Sequence, residues 1–97
     1  MKILDWNKDK WFSRNGSIIP FDKLEHFLLG LIGMIAGISL LGFSAITTFI
    51  FLELVAIGWE MKDGIVPAKG YIEGFSLKDL FADNLGFLAG YLLILLF

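Results

Sequence analysis

Three pairs of acidic or histidine residues in this 97-residue chain have the residue types and the spacing for metal chemistry. They are Asp22 and His26, Glu60 and Asp63, and Asp79 and Asp83. Residues three or four positions apart lie on one face of a helix, about 5 to 6 Å from each other. Carboxylate oxygens are preferred ligands of Mg²⁺, Mn²⁺ and Ca²⁺, and an imidazole among them extends the choice to Zn²⁺. The pattern therefore predicts a divalent-cation site where the pairs meet.

The predicted site combines direct metal ligands with residues that support them. The ligands are His26, Glu60, Asp63, Asp79 and Asp83, and the residues predicted to support them or to relay ions and protons are Asp22 and Glu53. Several negative charges do not lie together at a membrane interface unless some are protonated or a cation neutralises them. A divalent metal ion is the predicted cofactor, and the internal alternatives are Lys23, Lys62 and Lys78.

Most of these residues also have a purely structural interpretation. Ser76 to Asp79 match a helix capping box, in which the carboxylate of Asp79 bonds back to the start of the helix. Asp22 suits the first turn of a helix, where a carboxylate interacts favourably with the helix dipole. The others suit a solvated helix end or an interfacial hydrogen bond, and they are Glu60, Asp63 and His26.

Glu53 is separate from the pairs and lies near the middle of an apolar run. A charge at the centre of a membrane costs about 2.5 to 3.5 kcal/mol on insertion scales. Either Glu53 is protonated and hydrogen-bonded within a bundle or oligomer, or it extends the polar site inward as a relay. Its helical face is close to that of Glu60, because seven residues are nearly two turns.

The elements that position these residues follow from the composition. Hydrophobic residues make up 57% of the chain, charged residues make up 19%, and there is no cysteine. These values predict an all-α fold, an integral membrane three-helix bundle with a short N-terminal interfacial amphipathic helix, in a single domain over 1–97. The predicted segments are an interfacial helix at 1–15, membrane spans at 20–41, 45–62 and 77–97, and an interfacial loop at 64–75. Gly64 is predicted to cap the second span.

The basic residues predict the orientation of the spans. All eight Lys and Arg residues lie in two stretches, 1–23 and 62–78, that flank the apolar runs. Cytoplasmic loops carry the excess of Lys and Arg. The N-terminus is therefore predicted to be cytoplasmic and the C-terminus to lie outside. The bases are interleaved with acids, so no patch for nucleic acid is expected.

Stripes of small residues predict close helix packing and a homo-oligomer. Because lipid provides no hydrophobic drive between helices, small residues that let backbones approach are typical of helix contacts in membranes. The stripes are Gly30, Gly33 and Gly37 on the first span and Gly86 and Gly90 on the third. Membrane lipids are the other predicted partners.

The order of the motifs resembles a known family. Asp22-Lys23-x-x-His26-Phe27 is followed by Glu60-x-x-Asp63 and then by a Phe75-Ser76-x-x-Asp79 motif that extends to Gly90. This order, over residues 21–91, resembles the VanZ-like family of bacterial membrane proteins and the related YfiM-like envelope lipoproteins. The resemblance implies a bacterial envelope setting, with the inner membrane as the expected location, and it names no reaction.

The predicted function is therefore that of a small three-span membrane protein whose interfacial cluster binds a divalent cation and, through it, a lipid phosphate head group. Enzymatic turnover stays open, because a carboxylate-bound metal serves binding as readily as catalysis. The alternative is a packing protein, either an accessory subunit or a holin-like oligomer, in which the acids are helix caps and no metal is bound.

Overall fold

The computed structural model describes residues 3–7, 9, 11, 21–65 and 75–97, and its elements are helical. Helix α1 spans Asp22–Ile35 and continues as a π-helical segment, Ala36–Leu40. Helix α2 spans Ala45–Ile65, and α3 spans Leu77–Leu96. The all-α prediction with three helices is confirmed. The predicted loop at 64–75 lies mostly outside the described residues.

Helices α1 and α3 run parallel and pack closely through glycines. A Cβ atom at Gly90 would lie 2.7 Å from the carbonyl oxygen of Leu31, and one at Gly86 would overlap the carbonyl oxygen of Phe27. A Cβ atom at Gly30 would meet the Asp83 carbonyl oxygen at 2.5 Å. The predicted contact through small residues is thus present in the structure, and it places the starts of α1 and α3 side by side.

Helix α2 runs antiparallel to the other two and completes a small core. The buried members of this core, one from each helix, are Met34, Ala56 and Phe87. The predicted cap at Gly64 is wrong, because α2 continues through Gly64 to Ile65 and buries Gly64 within the helix. Since α2 returns to the end where α1 and α3 begin, the last turns of α2 lie beside the first turns of the other two.

The outer surface of the three helices is apolar. Leu29, Leu54 and Leu95, one from each helix, are each more than 60% exposed. Two helical segments, Asp22–Leu40 and Leu77–Leu96, are long and apolar enough to cross a membrane. Helix α2 is not one of them in the described part of the chain, since it carries Glu53, Glu60, Lys62 and Asp63.

The predicted interfacial helix at 1–15 is wrong for its described residues 3–7. Ile3 forms an isolated parallel bridge with Phe75, and the Leu4 N–H donates to the Phe75 carbonyl at 2.9 Å. Further on, the carbonyl oxygens of Trp6 and Asp9 accept hydrogen bonds from Lys78 Nζ. The backbone of this segment thus bonds to Phe75 and Lys78 beside the start of α3, and one internal bond, from the Asp9 N–H to the Asp5 carbonyl at 3.0 Å, is also present.

Candidate metal centre

The three helices bring polar side chains together at one end of the bundle, as the residue spacing predicts. Asp22, His26 and Asp79 form one group, and His26, Glu60 and Asp83 form a second. Within each group the possible ligand atoms all lie within 4.8 Å of one another. His26 belongs to both groups, so its ring is the centre of the cluster.

The two nitrogens of His26 face different carboxylates. Nδ1 lies 2.9 Å from Asp83 Oδ1, while Nε2 lies 3.7 Å from Asp22 Oδ1 and 3.5 Å from Asp79 Oδ2. A carboxylate that accepts a hydrogen bond from one ring nitrogen fixes the tautomer and orients the other nitrogen. In the neutral tautomer whose Nδ1–H donates to Asp83, Nε2 directs its lone pair into the space between Asp22 and Asp79.

Lys23 holds these two carboxylates from the opposite side. Its buried ammonium group lies 3.2 Å from Asp22 Oδ2 and 2.6 Å from Asp79 Oδ1. The second oxygen of each carboxylate, Asp22 Oδ1 and Asp79 Oδ2, faces His26 Nε2. Lys23 therefore neutralises part of the negative charge and also fixes the direction of the two oxygens that remain.

The predicted capping box forms only in part. Ser76 Oγ accepts a hydrogen bond from the Asp79 N–H at 3.0 Å, as a helix cap does. The Ser76 N–H, however, donates to Glu60 Oε1 at 3.1 Å, so the reciprocal bond comes from α2 and not from Asp79. The carboxylate of Asp79 consequently turns to Lys23 and His26, and the cap ties the end of α2 to the start of α3.

Glu60 is the most buried charged residue in the described part of the chain, with an exposed fraction of 0%. Its Oε1 atom bonds to the Ser76 N–H, whereas Oε2 is buried and has no hydrogen-bond partner among the described residues. Burying an ionised oxygen without a partner is costly, and such a group takes up a proton or a cation. Glu60 Oε2 therefore requires a proton or a cation.

Two of the predicted site residues lie outside both groups. Asp63 Oδ1 is 3.0 Å from Lys62 Nζ, whose side chain is 53% exposed. Glu53 accepts a hydrogen bond from Asn84 Nδ2 at 3.1 Å, and the same amide donates to the Leu80 carbonyl. The structure thus places Glu53 in a hydrogen bond within the bundle. Apart from Glu53 and Asp63, it brings the predicted site residues together.

Asp9 and Asn84 are polar residues of the site region that the spacing argument missed. Asp9 is buried, its Oδ1 lies 2.6 Å from Lys23 Nζ, and its Oδ2 accepts a short hydrogen bond from Ser76 Oγ. No local pattern marks Asp9, because its partners are far away in the sequence. Asn84 had a signal, since an amide in an apolar helix needs a partner and Glu53 is the acid of the neighbouring apolar run.

The cluster contains more acidic than basic side chains. Among the described residues it has five carboxylates, two ammonium groups and one imidazole, so with every carboxylate ionised the acids exceed the bases by two even when His26 is protonated. The carboxylates are Asp9, Asp22, Glu60, Asp79 and Asp83, and the ammonium groups are Lys23 and Lys78. The parallel N-termini of α1 and α3 stabilise Asp22 and Asp79, the cluster members in their first turns, because each N-terminus is the positive end of a helix dipole.

Fold and site together define an all-helical protein with three helices, an apolar outer surface and a histidine–carboxylate cluster at one end. Comparisons with protein-family models, curated proteins and solved structures find no match to the chain. The resemblance to VanZ-like proteins stays a prediction that depends on residue order and spacing.

Proposed function

We propose that this is a membrane protein that binds a divalent cation between Asp22 Oδ1, His26 Nε2 and Asp79 Oδ2. The observation that supports it is the spacing of these atoms, with Nε2 at 3.7 and 3.5 Å from the two oxygens. Nitrogen and oxygen ligands bind tetrahedral Zn²⁺ at about 2.0 to 2.1 Å, which puts neighbouring ligand atoms about 3.3 to 3.4 Å apart. Nε2 is therefore close to a metal-binding separation from each of the two oxygens before any side chain moves.

The surroundings of the three atoms favour the same proposal. Protein histidines that bind metals commonly donate the other ring N–H to a carboxylate, and ligating carboxylates are themselves hydrogen-bonded. Asp83 takes the first role, at 2.9 Å from Nδ1, and Lys23 takes the second for both Asp22 and Asp79. One imidazole and two carboxylates suit Zn²⁺ or Mn²⁺ and leave a coordination position for another ligand.

The membrane setting of the proposal depends on the apolar outer surface. Large exposed apolar areas mark contact with a membrane or a partner, and here they occur on all three helices. We place α1 and α3 across a bacterial inner membrane with α2 as the third span, and the cluster at the cytoplasmic side where the basic residues lie. On α2, Glu60 then lies beside the cluster and Glu53 contacts Asn84, whereas exposed apolar residues such as Leu54 face lipid.

A packing protein without a metal is the second candidate, and the ion pairs of Lys23 favour it. A single buried ammonium group that contacts Asp9, Asp22 and Asp79 already ties the N-terminal segment to α1 and α3. In this alternative the cluster is structural, the glycine faces join the helices within the chain, and the exposed apolar surface serves a homo-oligomer or an accessory role.

Calorimetry and thermal unfolding of the detergent-purified protein distinguish the two candidates. We expect Zn²⁺ or Mn²⁺ to bind and to raise the melting temperature, and a chelator to reverse the effect. A cation at a hundredfold excess over its dissociation constant contributes about 2.7 kcal/mol of stability, which is easily measured. If the wild-type protein binds no divalent ion and its melting is insensitive to chelator, the packing protein becomes the better description.

Variants locate the site. His26→Ala and Asp79→Asn should abolish the chelator-sensitive stabilisation. Asp63→Asn serves as the matched control, because this carboxylate lies near the same end of the bundle but outside both groups. Binding that survives Asp79→Asn and is lost in Asp63→Asn would contradict the ligand set proposed above.

A further inference from the structure

Glu60 and Asp83 are the carboxylates of the cluster that no ammonium group contacts within the part of the chain that the structure describes. Lys23 contacts the other three acids, and Lys78 Nζ bonds to backbone carbonyls. His26 lies beside both carboxylates, but as a metal ligand through Nε2 it is neutral and only donates its Nδ1–H to Asp83. The negative charge that the lysines leave is therefore concentrated on Glu60 and Asp83.

An unpaired oxygen of Glu60 indicates, independently of the charge, that this part of the cluster takes up a ligand. Glu60 is fully buried, its Oε1 atom accepts from the Ser76 N–H, and its Oε2 atom has no partner among the described residues. Ligand atoms of Glu60, Asp83 and His26 lie within 4.8 Å of one another. Because a buried ionised oxygen without a partner is costly, the Glu60 carboxylate takes up a proton or a cation.

A groove beside the cluster gives ions access to Asp83. It has a volume of about 300 Å³, and its polar end is lined by Glu25, His26 and Asp83. Glu25 is partly exposed, whereas Glu60 is fully buried and lies outside the groove lining. The carboxylates at this end attract cations and repel anions. A cation that enters the groove therefore reaches Asp83 first and the buried Glu60 next.

The charge of the whole cluster favours a monovalent ion. With every carboxylate ionised and His26 neutral, five carboxylates and two ammonium groups leave three negative charges, and the divalent ion of the proposed function leaves one. A monovalent cation neutralises that charge, whereas a second divalent ion reverses its sign. The Born cost of removing an ion from water also grows with the square of its charge, which disfavours a divalent ion beside a fully buried carboxylate.

We infer that Glu60 and Asp83 bind an alkali-metal cation, Na⁺ or K⁺, as a second ion beside the divalent one. Acidic residues within membrane-spanning segments commonly mark ion sites and ion pathways. The choice of a monovalent ion rests on the proposed function, whereas the site itself does not, because the cluster is negative with or without the divalent ion. Asp83 links the two ions, since it also orients the His26 ring through Nδ1.

Thermal unfolding of the detergent-purified, Zn²⁺-loaded protein tests the inference. We expect a higher melting temperature in NaCl or KCl than in choline chloride at the same ionic strength, and the larger shift identifies the preferred ion. The choline arm separates a bound ion from general screening of charge. Equilibrium binding of that ion, followed with its radioactive isotope, should saturate at a single ion per chain.

Charge-removing variants locate the second ion. Glu60→Gln keeps the oxygen that accepts from the Ser76 N–H and removes the charge, so it should fold, bind Zn²⁺ and lose the alkali ion. Asp83→Asn keeps an acceptor for the Nδ1–H of His26 and should also lose the alkali ion. Glu53→Gln is the matched control, because Glu53 lies on the same helix as Glu60 and outside both groups. We expect this control to bind the alkali ion as the wild-type protein does.

Several outcomes overturn the inference. Equal melting temperatures in the three salts leave a proton as the partner of Glu60. Alkali binding that survives Glu60→Gln places the ion elsewhere, and binding that occurs only without Zn²⁺ shows that the two ions share one site. If Zn²⁺ binds while any of these results holds, the second ion fails and the proposed function stands. Alkali binding without Zn²⁺ binding removes the proposed function and keeps the site at Glu60 and Asp83.

Discussion

Replacing Lys23 with methionine tests whether the cluster depends on one buried ammonium group. Methionine keeps an unbranched side chain and removes the charge, which leaves the carboxylates of Asp9, Asp22 and Asp79 without their shared partner. The ammonium group lies 2.6 Å from two of them and 3.2 Å from the third, and the Lys23 side chain is only 7% exposed. Removing one partner of a buried ion pair costs about 3 to 5 kcal/mol, because the remaining charge stays buried and unpaired. We expect Lys23→Met to lower the free energy of unfolding by about that amount.

The matched control is Lys62→Met. Lys62 also pairs with an aspartate, at 3.0 Å from Asp63, but its side chain is 53% exposed. Exposed pairs contribute about 0 to 1 kcal/mol, so this variant should unfold almost as the wild-type protein does. Both are measured by denaturant titration in mixed micelles at neutral pH, followed by circular dichroism.

A double variant separates lost charge from lost packing. Asp79→Asn in the Lys23→Met background removes one of the stranded carboxylates. The double variant should therefore be more stable than the sum of the two single effects predicts, as expected for groups in one network. Equal stability losses in Lys23→Met and Lys62→Met would refute the reasoning, because Lys23 would then behave as a solvated surface residue.

Two further predictions concern packing and orientation. Gly86→Leu or Gly90→Leu should lower the free energy of unfolding by more than the roughly 1 to 3 kcal/mol of ordinary overpacking, because the new side chain meets backbone atoms of α1. Leu93→Ala and Leu96→Ala should lower it less. Similar melting temperatures for all four variants would show that α3 does not pack through its glycines. A reporter active only in the cytoplasm should work at the N-terminus and fail when fused after Phe97, and activity at Phe97 would overturn the three-span orientation.

The helices could be predicted closely because their signals are local. Ser76 marks the start of α3 through a side-chain cap, and α3 begins at Leu77 as expected. The apolar runs likewise locate α1 and α2 to within a few residues. The predicted end of α2 at Gly64 is wrong because a glycine near a helix terminus suits either a cap or a buried contact. The sequence does not distinguish these two uses.

The convergence of the site could also be predicted, but its pairings could not. Helix direction and spacing suffice to bring His26, Asp79 and Asp83 to one end. Helix direction and spacing do not predict that the Ser76 N–H donates to Glu60. Because of this bond, the Asp79 carboxylate is left to contact Lys23 and His26. The contribution of Asp9 depends on a long-range return of the N-terminal segment to the start of α3, which no local rule predicts.

The charge of the cluster is the point on which both candidate functions depend. Lys23 contributes one positive charge to three carboxylates, and Lys78 bonds to carbonyl oxygens and not to a carboxylate. Within the described residues, Glu60 Oε2 has no partner, and a proton there would satisfy it without a metal. Such a proton would leave the space between Asp22, His26 and Asp79 unchanged. Cation binding that is lost in Asp79→Asn and kept in Glu60→Gln would therefore show that the metal, and not protonation alone, neutralises the cluster.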